Sequence, residues 1–356
     1  MTRFLQLHFL TVYPPSNPNR DDQGRPKTAR FGNAVRLRLS SQSIKRAVRQ
    51  SDAMQRELAG HLGHRTQRLG EELVRFLLAK GANEKQAQEI ATKIADAFGK
   101  IDEKAGKEGK VRTLQLAFIS PEERKHAEEL AGAALKGEKV PEADNLSSLL
   151  LRKADGAADI AMFGRMLADD AEYNREAAVQ ISHAITTHQA QVEDDFYTAV
   201  DDLKTKSEDA GAGFVGDAGF GSGVYYLYAC VDCDLLIENL AGDKELAGKA
   251  MAALVEALAT SAPSGKQASF AHRPRAGYIR AECGIQQPRS LAGAFFRPVT
   301  GSDLMTSSIK ALEDEADSMD QAYGLSYDAM KLMNVGARVG SLESVKTLAA
   351  DYARNA

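Results

Sequence analysis

The amino-acid sequence predicts an α+β fold, and three observations carry that prediction. Two stretches near the amino terminus alternate apolar and polar residues as strands do, with a loop between them. From about residue 52 to 168 the apolar residues instead recur at helical spacing. Residues 224–231 then return to β-branched and aromatic types. The order β–loop–β–α, a long helical block and β–α–β is typical of an α+β core that carries a helical insertion.

The first forty residues predict two strands joined by a long loop. Alternation over 3–13 gives the first strand. Prolines, asparagines and glycines are frequent in 14–33, which predicts a loop, and long ordered loops are usually functional. Alternation resumes over 35–40. There we expect Val35 on the buried face and Arg36 on an exposed basic face.

The helical block is interrupted once. A charged, glycine-bearing connector at 99–112 is expected to be mobile. Pro121 is expected to start another helix, because proline is favoured in a first helical turn. Residues 159–167 predict a short helix.

The second half returns to strands. Six of the thirteen residues in 211–223 are glycine, which predicts a flexible hairpin or arm rather than a packed element. Asp243 is expected to cap a helix that ends near Pro263. Residues 277–281 predict a strand, and a polar helical tail closes the sequence.

Composition bounds the class of protein. The chain has 356 residues, of which 44% are hydrophobic, so we expect two or three domain-sized units. No apolar run approaches the roughly 18 residues that span a bilayer, so no membrane partner is expected. Three cysteines and the lack of a targeting segment predict a cytoplasmic protein.

Charge is segregated along the sequence. Residues 20–49 contain nine basic residues and two acidic ones, a net charge of +7, whereas the whole chain carries −4. Such segregation favours a local anion site over general solubility. The basic residues are Arg20, Arg25, Lys27, Arg30, Arg36, Arg38, Lys45, Arg46 and Arg49.

Part of this segment has the layout of a phosphate receptor. A helix is expected to start just after Ser40, a good N-cap residue, and a helix start attracts anions. Lys45 and Arg49 are four residues apart and share a helix face, near the amide of Gln42. These groups together suit a sugar-phosphate backbone and read no base edges. The alternative is a solvated basic helix. A P-loop is excluded, because its motif does not occur.

Several separated stretches resemble one known family. They are NRDD (19–22), RLRLSSQSIKRAVR (36–49), ISHAITTHQ (181–189), FYTAVDDL (196–203), GSGVYYLYA (221–229), KQASF (266–270) and YGL (323–325). In order and spacing they are similar to the backbone subunit (Cas seven, or CasC) of the type I-E CRISPR Cascade complex. The resemblance covers most of the chain and is weakest at 52–150 and after 330.

The resemblance implies a modified RRM-like (ferredoxin-like) palm, a helical fingers insertion and a β-hairpin thumb. The corresponding divisions are 1–55 for the first part of the palm with its RNA-binding loop and helix, 56–170 for the fingers, 171–193 for palm, 194–223 for the thumb and 224–356 for the rest of the palm.

The resemblance also implies a function. Copies of such a subunit polymerise along the CRISPR guide RNA, and each thumb displaces a guide base, while the other bases pair with a target DNA strand. The expected partners are the guide, further copies, the large, small, Cas five-type and guide-processing subunits, and a recruited helicase-nuclease. Neither a cofactor nor a bound metal is expected.

Site residues carry over at positions that match. The RNA-backbone-binding residues implied are Arg20, Lys27, Arg38, Ser40, Gln42, Lys45, Arg46, Arg49 and Arg297. The base-displacing wedge implied is Met166, Tyr197 and Thr198. From chemistry alone Met166 could equally fill a core, and Tyr197 could pack as an ordinary strand residue. The sequence lacks the aromatic motif of RRMs that bind RNA on the sheet, so we expect loops, helix start and thumb to carry the binding.

Catalytic and metal-binding alternatives rest on few residues. Cys230 and Cys233 form a C-x-x-C, but residues three apart on a strand face opposite sides, which favours core thiols. His183 and His188 are five residues apart, whereas two histidines that bind one metal from a helix are four apart. Each could instead contact RNA or be buried and hydrogen-bonded.

Three acidic pairs keep an enzyme hypothesis open. They are Asp21/Asp22, Asp194/Asp195 and Asp201/Asp202, which could hold metals for phosphodiester cleavage. The alternative function is therefore a metal-dependent backbone ribonuclease, as in type III complexes, using Asp21 or Asp22. The type I-E resemblance argues for a non-catalytic protein in which Asp22 orients Arg20 or caps the loop. A third hypothesis is a monomeric RNA-binding regulator.

Overall fold

The computed structural model describes residues 1–167, 170–199 and 214–355. The strands are β1 (Phe4–Ser16), β2 (Thr28–Phe31), β3 (Ala34–Leu39), β4 (His64–Thr66), β5 (Ala117–Ile119), β6 (Val179–Ile181), β7 (Ala184–Thr186), β8 (Glu193–Ala199), β9 (Phe214–Asp232), β10 (Ala276–Gly284) and β11 (Ala329–Asn334).

The helices follow the same chain order. They are α1 (Ser41–Arg49), α2 (Asp52–Glu57), α3 (Leu69–Ala79), α4 (Glu84–Asp96), α5 (Glu103–Lys107), α6 (Pro121–Leu135), α7 (Ala143–Leu150), α8 (Ala158–Phe163), α9 (Cys233–Asn239), α10 (Lys244–Thr260), α11 (Gln267–Phe270), α12 (Leu304–Tyr323) and α13 (Leu342–Arg354). Within the described ranges, no helix has the length and apolar character needed to cross a membrane.

The chain divides into two compact units. The sheet unit comprises residues 1–54, 181–230 and 252–349, and the helical unit comprises 55–180, 231–251 and 350–356.

A large sheet organises the sheet unit. Its strand order is β11-β10-β1-β9-β7-β3-β2, and β6 and β8 also pair with β9. The pairings of β10 with β1 and β11, and of β3 with β2 and β7, are antiparallel. A mixed structure with an antiparallel sheet agrees with the α+β prediction. One face of the sheet buries Leu10, Tyr226 and Tyr278. They pack against Leu312 of α12 and against Phe295 in the short helical turn 292–295.

The helical unit has its own core. Leu73 and Leu77 of α3 pack with Ile90 and Ile94 of α4 in one buried cluster. Helix α6 starts at Pro121, as predicted, because Ser120 forms a capping box with Glu123. The short pair β4–β5 also lies in this stretch, in parts that the sequence predicted to be helical.

The basic segment differs from its prediction in two respects. Residues 14–33 are not all loop, because β1 continues to Ser16 and β2 forms a hairpin with β3. Leu37 and Leu39 of β3 are buried, as predicted, but the prediction is wrong for the two residues before them, since Arg36 is fully buried and Val35 is 41% exposed. Alternation failed here because the guanidinium of Arg36 donates to the carbonyl oxygens of Thr186 and Phe295, at 3.0 and 2.8 Å. These bonds to Nη1 and Nη2 offset part of the cost of burying the cation.

The described part of the glycine-rich segment, residues 214–223, belongs to β9 and is packed, contrary to the prediction of an unpacked arm. Residues 214–220 pair with β8, from Ala199↔Phe214 to Glu193↔Phe220. A Cβ at Gly221 would lie 2.5 Å from a methyl carbon of Leu37, so glycine permits close packing.

Three other predictions need correction. The 99–112 connector contains α5, capped by Asp102. The helix predicted over 159–167 ends at Phe163, because Gly164 takes a left-handed φ of 76°. The tail predicted to be helical includes β11, which pairs with β10.

Candidate nucleic-acid interface

The loop after β1 is a tight, self-bonded turn. Arg20 and Pro26 form an isolated antiparallel bridge, and the Asp21 amide donates to the carbonyl of Arg25 at 2.9 Å. One oxygen of the Asp21 carboxylate accepts the amides of Gln23 and Arg25, at 3.0 and 2.9 Å. Asp21, not Asp22 as predicted, therefore caps the loop, in the manner of an Asx turn.

Asn19 joins this loop to the strand and the helix. Its carbonyl accepts the Lys27 amide at 3.0 Å, and its side-chain oxygen accepts the Ser40 amide at 2.7 Å. The Lys27 carbonyl in turn accepts the Arg38 amide at 2.8 Å. Sequence reasoning gave Asn19 no role, because its residue type indicates a turn but not a partner 21 residues away.

Helix α1 begins where the sequence predicted. Ser40 is the N-cap, and its hydroxyl oxygen accepts the Ser43 amide at 3.3 Å. The Ser41 amide donates to Nδ1 of His183 at 3.1 Å. With the Ser40 amide bound to Asn19, the Gln42 amide is the one N–H of this helix start without a partner among the described residues. The helix start is therefore more occupied than the sequence suggested.

Several cations lie on α1 and on the loop before β2. Arg20 and Arg46 are exposed, and Lys27 and Lys45 are half-buried. Arg49, in the last turn of α1, is also half-buried. Partial burial lowers the pKa of Lys45. Within the described ranges, no ion pair involves Arg20, Lys27, Lys45 or Arg46. An uncompensated positive surface of this kind attracts phosphate.

Arg38 lies between β2 and the helix start. Its Nε donates to the Thr28 carbonyl at 3.4 Å, and its Nη1 lies 3.2 Å from Nδ1 of His183. Burial and the positive charge of Arg38 lower the pKa of His183. The imidazole is therefore neutral at pH 7 and accepts hydrogen bonds from both neighbours.

Arg297 follows a segment that packs on the β2–β3 hairpin. The rings of Phe31 and Phe296 meet edge to face, 5.7 Å between centroids. Gly32 has a φ of 60°, and a Cβ there would lie 1.9 Å from the Phe296 carbonyl oxygen, so this turn requires glycine. The contact places the exposed Arg297 beside the turn of the basic hairpin.

The β8–β9 hairpin is fixed to the loop at its base. Arg25 and Asp194 form an ion pair at 2.9 Å, and the Asn17 side chain donates to the Gly219 carbonyl at 2.8 Å. Two of the predicted wedge residues, Tyr197 and Thr198, are exposed on β8, which for Tyr197 argues against an ordinary packed strand residue. Residues 200–213, including the acidic pair 201–202, lie outside the described ranges.

Met166, the third wedge residue, belongs to the helical unit. Its side chain is 81% exposed, so the core-filler alternative is wrong. The backbone around it is well fixed. Arg165 is buried with Glu123 at 2.6 Å, and the Leu167 amide donates to the Asn174 side chain at 2.6 Å. An exposed thioether side chain on a fixed backbone is suited to insertion between bases.

The cysteines and the histidine that were candidates for metal binding lie in structural positions. Cys230 and Cys233 are buried and form no disulfide with the described residues, as predicted for core cysteines. Nε2 of His188 accepts the Val224 amide at 3.2 Å. No group of three or more potential metal ligands occurs among the residues that the structure describes.

Two solved structures are similar to this chain over almost its whole length. One solved structure, described as "CRISPR RNA-guided surveillance complex, pre-nicking", has 29% identity and a TM-score of 0.85, over 98% of this chain and 100% of that one. A second, described as "CRISPR RNA-guided surveillance complex", has 26% identity and a TM-score of 0.72, over 98% and 99%. No curated protein sequence matches.

These likenesses confirm the resemblance to Cascade backbone subunits that the sequence motifs indicated. A family model described as "CT1975-like protein" matches residues 5–352, which is nearly the whole chain. The protein therefore belongs to the CT1975-like family of CRISPR-associated proteins.

Proposed function

We propose that this protein is a non-catalytic backbone subunit of a type I-E Cascade (CasC-type) complex that binds and polymerises along a CRISPR guide RNA. One observation carries the proposal: Arg20, Lys27, Lys45 and Arg46, on α1 and the loop before β2, have no carboxylate partner among the described residues. The likeness to chains of CRISPR RNA-guided surveillance complexes over 98% of the sequence supports it.

In this proposal the sheet unit is the RRM-like palm, the helical unit the fingers, and the β8–β9 hairpin the thumb. The guide's phosphates contact the loop after β1, the hairpin β2–β3 and α1. Charge and directional donors at these places suit a backbone and read no bases. Met166 and Tyr197 displace guide bases at intervals, and the other bases pair with target DNA. The neighbouring copies and the other Cascade subunits complete the complex in the cytoplasm.

The RNA test uses two lysines that form no ion pair with the described residues. Replacing Lys27 and Lys45 together by alanine should weaken binding to a guide-length RNA and reduce the salt slope by about 0.7 for each charge. The matched control replaces Lys249, an exposed lysine on α10, and Lys310, which pairs with Asp314. Equal affinity and salt slope in the double variant and the wild type would remove the basis of the proposal.

The polymerisation test measures sedimentation as RNA length increases. A filament subunit should form particles whose mass grows stepwise with the length of the guide. A particle with one copy on every length would instead favour the monomeric regulator.

The wedge test uses two adjacent aromatic residues on β8. Tyr197 is 43% and Phe196 70% exposed, and successive strand residues face opposite sides. Tyr197→Ala or Met166→Ala should weaken a periodic pattern of reactive bases in chemical probing of the bound guide. Phe196→Ala is the control, and an unchanged pattern in all three variants would contradict the wedge assignment.

The ribonuclease alternative is tested with complementary RNA and Mg²⁺. The Asp21 carboxylate already accepts two loop amides, which favours a structural role. We expect no periodic cleavage. Cuts that disappear in Asp22→Ala but persist in Asp195→Ala would establish the enzyme and overturn the non-catalytic assignment.

A further inference from the structure

Strand pairing places His183 at the start of α1. The residue precedes β7, and β7 pairs with β3 through Arg38↔Ile185 and Leu39↔Ala184. Because β3 leads directly into α1, this register brings the imidazole beside Ser41, 142 residues away in sequence.

The partners of Nδ1 fix the protonation state of the ring. A backbone amide and a guanidinium can only donate, and both contact Nδ1, from Ser41 at 3.1 Å and from Arg38 at 3.2 Å. Nδ1 must therefore carry a lone pair, which assigns the proton of the neutral ring to Nε2.

This ring also orients Arg38. Thr28 holds Nε and His183 holds Nη1, so two of the three guanidinium nitrogens have partners. Nη2 has no hydrogen-bond partner among the described residues. The other two bonds fix the plane of the guanidinium and leave Nη2 available to a phosphate. A guanidinium held in one orientation loses less freedom when it binds phosphate.

The surroundings of His183 favour the neutral ring. Burial, the charge of Arg38 and the charge of Lys27 all lower the pKa of His183, whereas the Leu39 carbonyl acts in the opposite direction. Protonation would remove the Nδ1 lone pair and place a third positive charge next to Arg38 and Lys27.

We propose that His183 is a positioning residue for guide-RNA binding, which holds Arg38 and the first turn of α1 through the Nδ1 lone pair. The inference rests on the proposed function. It adds a residue that acts on the phosphate contact through Arg38.

A double-mutant cycle tests the link to Arg38. His183→Ala should lower affinity for a guide-length RNA by roughly fivefold, as expected for the loss of one ordinary hydrogen bond. The salt slope should stay unchanged, since a neutral ring neutralises no phosphate, whereas Arg38→Ala should lower it by about 0.7. In the Arg38→Ala background, His183→Ala should have a smaller effect, because only the bond to the Ser41 amide is then left to lose. Independent, additive losses would overturn the inference.

Conservative variants separate positioning from a general structural role. In His183→Asn the side-chain oxygen replaces the Nδ1 acceptor, so affinity should recover at least in part. Wild-type affinity should fall relative to that of His183→Asn as acid protonates the ring. His64→Ala, which removes an exposed histidine of the helical unit, is the control. Equal affinity of the alanine and asparagine variants, or a constant ratio across pH, would count against positioning.

A measurement without RNA distinguishes this inference from the proposed function. The His183 pKa, followed by NMR, should rise in Arg38→Ala because a nearby positive charge is removed. An unchanged pKa would overturn the inference even if RNA binds. Absence of RNA binding by the wild type, with the pKa shift present, would refute the proposed function instead.

Discussion

Strand β10 and the basic segment of residues 19–49 both present arginines in the sheet unit, but they use the charge differently. At β10, Arg280 pairs with Glu282 at 2.6 Å and with Glu313 at 2.9 Å, and Arg289 pairs with Glu282 at 2.6 Å. In the basic segment, Arg20 and Arg38 form no ion pair with the described residues. Buried charge must be matched inside the protein, whereas exposed unmatched charge is left for a partner.

The largest effect should come from removing the shared carboxylate of the β10 network. Glu282 is fully buried and pairs with the buried Arg280 and the partly buried Arg289, so Glu282→Gln removes the negative charge that these two cations share. We expect a loss of about 3–5 kcal/mol in the free energy of unfolding. Urea denaturation of the isolated variant measures it. A loss under about 1 kcal/mol would mean that this network is not stabilising in the way its geometry implies.

Arg36 and Arg38 test the comparison within a single strand. Arg36→Met removes the donors to two buried carbonyls and should cost about 3 kcal/mol of unfolding free energy. Arg38→Met should change that quantity by less than about 0.5 kcal/mol, because its side chain is partly exposed. The affinity of the folded protein for RNA should show the opposite order, with the larger loss in Arg38→Met. Equal stabilities of the two variants would remove the distinction.

Glu313 should make stability depend on pH. Burial and the neighbouring Asp317 and Asp314 raise its pKa to about 7, from an ordinary value of 4.5. The folded protein therefore binds an extra proton between these values. The stability this contributes is fully present below pH 4.5 and lost as pH rises through about 7.

Glu313→Gln should flatten this part of the profile. The measurement is the unfolding midpoint in urea between pH 5 and 8, with Glu343→Gln, 78% exposed in the wild type, as control. A stability that increases with pH over this range in the wild type, and no longer does so in Glu313→Gln, would contradict the direction.

The smallest effect on stability should come from Arg20. Its side chain is exposed, so Arg20→Ala should leave the unfolding free energy within about 0.5 kcal/mol of wild type. If the charge serves RNA, the salt slope of binding should still fall by about 0.7. Both quantities should be measured on one preparation of Arg20→Ala. A salt slope equal to that of the wild type, or a clear loss of stability, would contradict the comparison.

Much of the local structure follows from the sequence. Ser40 at the start of α1 and Asp243 before α10 cap helices where predicted, because a cap bonds to amides two or three residues away. A helix also starts at Pro121, as predicted. The strand β1 also followed from residue type and alternation. These features need only neighbours in sequence.

Predictions failed where a partner is distant in sequence. Arg36 was assigned to a basic face because alternation cannot register that Thr186 and Phe295 supply carbonyls 150 and 259 residues away. Asn19 and His183 occupy amides of the helix start that the sequence alone left open to anions.

The sequence by itself determined that a positive segment ends in a capped helix, since charge, caps and periodicity are properties of neighbouring residues. Only the tertiary structure decided which of its cations remain available. Strand pairing buries Arg36 among distant carbonyls and sets Arg38 against His183, because hydrogen-bond partners and exclusion of water are fixed by the packing of segments far apart in the chain.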